Sequence, residues 1–233
     1  MNIRTIVGLF PLLLVGCTPT AADLPAARLP EGKTAIFAGG CFWCLEADME
    51  QLPGVLAAES GYTGGYVPHP SYDMVSLGLT GHAEAVRVSY DPKKLSYAQL
   101  LDYFWRHIDP TTKNRQFCDV GKQYRSGIYW QDDDQRRAAE KSRDALLASG
   151  RFSHIETEIL PASAFYPAEE YHQDYSRKNP LRYAYYRFAC GRDARVRQVW
   201  GNDAVRLSPE GSKALPETVN RPDRAGLSST PLR

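Results

Sequence analysis

Lys33-Thr34-Ala35-Ile36-Phe37-Ala38-Gly39-Gly40-Cys41-Phe42-Trp43-Cys44 is the stretch on which the reading of this chain turns. The apolar run over residues 33–38 reads as a short strand, Gly39-Gly40 as a tight turn, and residues 41–52 as a helix. Cys41 therefore stands at a helix start, beside unpaired backbone N–H groups and the positive end of the dipole. Such a place favours thiolate over thiol, and the thiolate is the nucleophile.

The pattern continues as mixed strands and helices. Residues 55–62 read as a second strand that runs into the glycine-rich turn Gly61-Tyr62-Thr63-Gly64-Gly65-Tyr66. Residues 84–90 alternate most clearly, with Val86, Val88 and Tyr90 on one face and Ala85, Arg87 and Ser89 on the other. Ser96 caps a helix with Gln99 at the capping-box position, and Leu100, Phe104 and Ile108 form its apolar stripe. Residues 126–130 read as a strand, Asp132-Asp133-Asp134 opens a helix that Gly150 closes, and residues 155–160 alternate as a further strand. Residues 169–175 offer at most one more short helix. This order predicts an α+β fold.

The chain has 233 residues, 43% of them hydrophobic and 24% charged, enough for one sizeable core. Its formal net charge is +1 with both signs interspersed, so no basic stripe points to nucleic acid or an anionic membrane. The ends read differently from the middle. Met1-Asn2-Ile3-Arg4 is a short basic start, residues 6–15 an apolar run too short to span a bilayer, and Leu14-Val15-Gly16-Cys17 resembles a bacterial lipobox. The expectation is a signal peptide over residues 1–17, Cys17 lipidated, a tether over residues 18–32, and a periplasmic lipoprotein whose only membrane attachment is the lipid. Thr18 follows the cysteine in place of an aspartate, which favours the outer membrane. A catalytic domain then fills residues 33–207, and residues 208–233 read as a disordered tail.

Setting Cys17 aside leaves Cys41, Cys44, Cys118 and Cys190. Four cysteines are few for structural staples in an exported domain of this size, so redox use is the expectation. Glu84 shares its strand parity with Val86, Val88 and Tyr90, which points it to the apolar face. Burial raises a carboxyl pKa and would make Glu84 a proton donor near neutral pH; the bland alternative is a strand-end carboxyl that reaches solvent beside Gly81-His82.

Gly40-Cys41-Phe42-Trp43, Thr80-Gly81-His82-Ala83-Glu84, Asp109-Pro110-Thr111, Gln123-Tyr124-Arg125-Ser126 and His172-Gln173-Asp174-Tyr175 with Lys178-Asn179-Pro180 follow in this order. Together they resemble the A-type peptide methionine sulfoxide reductases over roughly residues 33–200. The resemblance implies a two-layer sandwich related to ferredoxin-like folds, a mixed sheet with flanking helices, and reduction of the S-epimer of methionine sulfoxide, free or in oxidised proteins. In that mechanism Cys41 attacks the sulfoxide sulfur, Glu84 protonates the departing oxygen, and Cys41 is left as a sulfenic acid. Phe42 and Trp43 match the pair that holds the substrate methyl group, and Tyr72, Asp119 and Tyr124 the groups that orient the oxygen. No cofactor and no metal are implied, the reductant is a thioredoxin-like protein, and the enzyme is expected to be a monomer.

The chemistry is consistent with those residue types. A polarised S–O bond needs a nucleophile on sulfur and a proton on oxygen, with hydroxyl donors for the oxygen and an aromatic wall for the methyl. Taken singly, Phe42 and Trp43 could be ordinary core residues, Tyr72 and Tyr124 are two of 14 tyrosines, and Asp119 could be a turn residue. The chain departs from the common family pattern at Cys44, where many relatives have glycine, and after Pro180, where the glycine-rich tail is replaced. The resolving cysteine is therefore open: Cys190 is favoured as lying in a mobile-looking segment past the last helix, with Cys44 and Cys118 as alternatives. Two rival readings remain. A thioredoxin-like thiol–disulfide oxidoreductase would use Cys41 and Cys44 but gives Glu84 no task. A zinc module lacks a second close cysteine pair.

Overall fold

The computed structural model describes residues 32–205. The signal segment, the tether up to residue 31 and the tail expected over residues 208–233 lie outside the described residues. Strand β1 (Lys33–Gly39) leads into helix α1 (Phe42–Glu50), as the opening stretch predicts. Strand β2 (Val55–Thr63), short helix α2 (Tyr72–Ser76), strand β3 (Ala83–Tyr90) and helix α3 (Tyr97–Arg106) follow. Both halves of the Ser96–Gln99 capping box form, so two orphan N–H groups of α3 are satisfied reciprocally. A two-residue ribbon, β4 (Arg115–Gln116) with β5 (Asp119–Val120), precedes a 3-10 turn at Lys122–Tyr124 and strand β6 (Ser126–Trp130). Helix α4 (Asp133–Ala148) and strands β7 (Glu158–Pro161) and β8 (Tyr166–Pro167) complete the sheet.

The six strands of the main sheet lie in the order β7-β6-β1-β3-β2-β8. β3 runs antiparallel to both β1 and β2, so the strands flanking α1 are parallel with one strand inserted between them. β6 is antiparallel to β1, and β7 is parallel to β6. The order β6-β1-β3-β2 is the split β-α-β arrangement of ferredoxin-like sandwiches. The sequence pattern places a strand, a helix and a strand in order around Cys41, but it does not reveal that β3 inserts between the two strands.

Phe37, Val86, Val88 and Ile128 on one sheet face join Leu45, Met49, Leu100, Leu101, Phe104 and Ala139 of α1, α3 and α4 in the principal core. The opposite face buries Ile36, Ala38, Ala83, Ala85 and Tyr129 beneath Ala162 and Phe165. Central strands covered on both sides explain why β3 is buried nearly throughout instead of alternating.

The last third differs from its sequence reading. The strand expected over residues 155–160 is shortened at its start, because the Glu156 N–H pairs with the Pro110 carbonyl at 2.7 Å and not with a neighbouring strand. Residues 169–175 form turns that end in α5 (Tyr175–Lys178). Two further helices follow, α6 (Pro180–Cys190) and α7 (Arg192–Trp200). Pro180 stands at the first position of α6 and Gly191, at φ +69°, ends it, the ordinary asymmetry of helix termini. Cys190 is thus the last residue of a helix, not part of a mobile segment. Among the described residues no helix is long and apolar enough to cross a membrane.

Candidate active site

Gly40 adopts φ +81°, and a Cβ there would stand 2.5 Å from the Gln116 Cβ. The turn therefore needs glycine on both conformational and steric grounds. Gln116, fully buried, is itself fixed by exchanging two hydrogen bonds with the Asp109 backbone, at 2.9 and 2.6 Å. The Asp109 carboxylate accepts from the Thr111 amide, the Thr111 hydroxyl and Arg195. The Asp109-Pro110-Thr111 motif is scaffolding for the turn that presents Cys41.

Cys41 is the N-cap of α1, with the Cys44 and Leu45 amides both donating to its carbonyl at 3.2 Å. The first helical N–H, that of Phe42, has its partner in Glu84, whose Oε2 accepts it at 3.0 Å. Glu84 is 2% exposed on β3, on the face expected from parity. Burial raises its pKa to about 8, only partly offset by the Phe42 amide. At neutral pH it is a protonated acid at the helix start, not a strand-end carboxyl in water.

Cys41 itself corrects the expectation of a resting thiolate. It is 6% exposed, and burial, the neighbouring Cys44 and the Glu84 charge push the thiol upward. Cys44, three residues on, lies within side-chain hydrogen-bonding reach of Cys41. Its thiol is lowered by that hydrogen bond and by the charges of Arg192 and Arg187. Within the buried pair Cys41 is the harder thiol to ionise, while the arginines favour negative charge on Cys44.

Around this pair stand the other residues singled out in the sequence. Phe42 is fully buried in an aromatic cluster with Tyr62, Tyr72 and His172. Trp43 stacks on Tyr175 at 3.7 Å between ring centroids and donates its indole N–H to His172 Nδ1 at 2.9 Å. Tyr72 is held by Glu169, which accepts from the Tyr72 amide at 2.8 Å and the Tyr62 hydroxyl at 2.7 Å. Burial and the Glu84, Cys41 and Asp119 charges raise Tyr72 to about 12, and the same groups raise Tyr124. Both phenols are therefore neutral O–H donors beside the Cys41 sulfur.

Cys118 and Cys190 do not join the Cys41 pair. They are bonded to each other, with Cα atoms 5.0 Å apart, while Cys41 and Cys44 are free. Two groups at the site escape the sequence reading. Tyr186 of α6 donates to Asp119 Oδ2 at 2.7 Å and also reaches the Cys41 thiol. Arg192, almost fully buried, donates to the Gly39 carbonyl at 3.1 Å and the His107 carbonyl at 2.9 Å and lies over the Phe117 ring, tying α7 to the Cys41 turn. The available signal was Pro180 and Gly191 bracketing a helix, which places Tyr186 and Cys190 one turn apart on one face. His82 is buried, its ring meeting Tyr166 edge-on.

A family model described as peptide methionine sulfoxide reductase matches residues 33–204. "Peptide methionine sulfoxide reductase MsrA 2" of Caulobacter vibrioides is 50% identical over 198 residues, covering 85% of this chain and 99% of that protein. "Peptide methionine sulfoxide reductase MsrA" of Bacillus licheniformis is 49% identical over 170 residues, 72% of this chain and 94% of the relative. Among solved structures, reduced Mxr1 from Saccharomyces cerevisiae is similar with a TM-score of 0.60 at 38% identity, over 64% of this chain and 86% of its own. Methionine sulfoxide reductase A of Corynebacterium diphtheriae gives 0.58 at 37% identity, over 64% and 76%.

Proposed function

The chain belongs to the peptide methionine sulfoxide reductase family, and from that premise we propose how its residues carry the reaction. It is a thiol-dependent reductase of the S-epimer of methionine sulfoxide, free or in oxidised proteins. The observation that carries the residue assignment is the Phe42 amide donating to Glu84 beside the Cys41 N-cap, which puts nucleophile and acid at one helix terminus.

Cys41 sulfur attacks the sulfoxide sulfur while Glu84 delivers a proton to the oxygen, and the oxygen leaves the substrate for Cys41. Sulfoxide and thiol become methionine and a Cys41 sulfenic acid. Tyr72 and Tyr124 donate to the oxygen as its charge grows, and Phe42 and Trp43 wall the methyl group. Ionised Glu84 would raise the thiol pKa further, so a protonated Glu84 assists both partners. The thioredoxin-like reading gives no task to Glu84 or the tyrosines.

The sulfenic acid must be resolved by a second thiol, with loss of water. The sequence reading favours Cys190; with Cys190 bonded to Cys118, our proposal moves to Cys44. Residues three apart at a helix start have Cβ atoms about 5–6 Å apart, so a small closing movement gives disulfide geometry. The resulting Cys41–Cys44 bond would be opened by a thioredoxin-like dithiol through exchange.

For location, we keep the proposal of a Cys17-acylated periplasmic protein held at the outer membrane. An intact Cys118–Cys190 bond supports an oxidising compartment. The residue assignment is tested with free methionine S-sulfoxide and dithiothreitol: Cys41→Ser should release no methionine, and substantial release by that variant would overturn it.

A further inference from the structure

Tyr186 and Cys190 lie one turn apart on α6, so their side chains leave the same face of the helix. Opposite them Cys118 and Asp119 are consecutive, Asp119 being the first residue of β5. Both rungs of this contact are made. The Tyr186 hydroxyl donates to Asp119 Oδ2 at 2.7 Å, Cys190 is bonded to Cys118, and the Cys118 amide adds a hydrogen bond to Cys190 Sγ at 3.2 Å. Arg187, next along the helix, is locked to the buried Asp48 of α1 at 2.7 Å. The Tyr186 ring meets Trp43 edge-on, with centroids 5.8 Å apart.

We propose that Tyr186 is a further catalytic residue, a hydrogen-bond donor to the Cys41 sulfur, and that the Cys118–Cys190 bond is the clamp that keeps it there. The phenol has one proton to give. With Cys41 a buried thiol, that proton goes to Asp119; when Cys41 ionises, the hydroxyl turns from Asp119 to the thiolate. A donor on the charged form favours it, which opposes the upward push that burial gives the Cys41 thiol. The groups facing Cys41 are Cys44 on α1, Glu84 on β3, Tyr72 on α2, Tyr124 on the 3-10 turn and Tyr186 on α6. Of these, Tyr186 alone lies on the helix that the disulfide ties down. The bond thus has a task near the site without taking part in sulfenic acid resolution, and its reduction would slacken the site. The proposal rests on Cys41 being the reacting thiol.

The test follows the rate of iodoacetamide alkylation at Cys41 against pH, read by peptide mass, in protein with reduced Cys41 and an intact Cys118–Cys190 bond. Tyr186→Phe keeps the ring and removes the donor, so it should slow alkylation near neutral pH about tenfold and move the profile to higher pH. A Cys118→Ser/Cys190→Ser variant should shift the profile in the same direction, and adding Tyr186→Phe to it should change little more. A wild-type profile for Tyr186→Phe, or a fall at all pH values with no shift, would overturn the donor role. A wild-type profile for the serine pair, with the full Tyr186→Phe effect retained on it, would overturn the clamp. Should the serine pair fail to fold, selective reduction of the Cys118–Cys190 bond in the folded protein reads the same shift. Alkylation does not require Cys41 to be the attacking group, so sulfoxide reduction by Cys41→Ser would refute the mechanism while leaving the profile shift intact.

Discussion

The Phe42 amide donates to Glu84 Oε2 at 3.0 Å, which places the site's acid on the first open N–H of the helix that Cys41 caps. Nucleophile and acid belong to different strands' ends, yet one backbone group sets their separation. The helix start that stabilises charge on sulfur also holds down the proton affinity of a carboxyl that burial has raised.

Glu84→Gln keeps the shape and removes the proton. Methionine release in a single turnover should slow by roughly 10²–10⁴-fold. With the Glu84 pKa at about 8, the wild-type step should also fall as pH rises through that value, because the acid ionises. Stopped single-turnover assays across pH 6–10 check this; a Gln variant with the wild-type rate would mean that another group supplies the proton.

Resolution separates the cysteines. Given one equivalent of sulfoxide, Cys44→Ser should release about one methionine per enzyme and then stall with thioredoxin, whereas Cys190→Ser should continue to turn over. Disulfide mapping after one turnover of the wild-type protein should find Cys41 joined to Cys44. A Cys41–Cys190 bond in that map would return the role to Cys190.

Glu46 carries a pH signature of stability. It is buried on α1, accepts from Ser60 Oγ at 2.8 Å and the Asp174 amide at 3.1 Å, and has a pKa raised by burial to about 7. Its unfolded value is about 4.3, so between those values the folded state binds more protons and stability falls as pH rises. Glutamine can accept from the Asp174 amide with its oxygen and donate its NH2 to Ser60 Oγ without ionising. Glu46→Gln should therefore melt close to wild type near pH 4.5 and at a higher temperature than wild type at pH 8; scanning calorimetry at the two values decides it.

Membrane attachment is checked at the N-terminus. Mass spectrometry of the mature protein from membranes should find it beginning at an acylated Cys17. An unmodified end downstream of Cys17 would refute the lipoprotein reading.

Local physics made much of the site legible. The β1 to α1 transition follows from an apolar run broken by two glycines, and the Ser96–Gln99 box is a contact between residues three apart. The direction of Glu84 follows from pleat alternation with Val86 and Val88. The family motifs carried the pocket, since Tyr72, Asp119 and Tyr124 have no local signature of their own. The strand expected from residue 155 began late because its alternation has no ladder partner there: Glu156 pairs with Pro110 across the molecule.

By itself, then, the sequence determined which residues could do chemistry: a cysteine at a helix start, and a carboxyl turned toward an apolar face. Only the tertiary structure decided their states. Cys41 is an uphill thiol because α6, β3 and the tyrosines exclude water from it, and desolvation is set by segments distant in sequence. The pairing of Cys118 with Cys190 spans 72 residues, a choice that helix packing makes and that cysteine spacing cannot express. Tyr186 reaches Asp119 for the same reason: α6 is held both by the Cys118–Cys190 bond and by the Arg187–Asp48 pair, and that docking brings its phenol to the site.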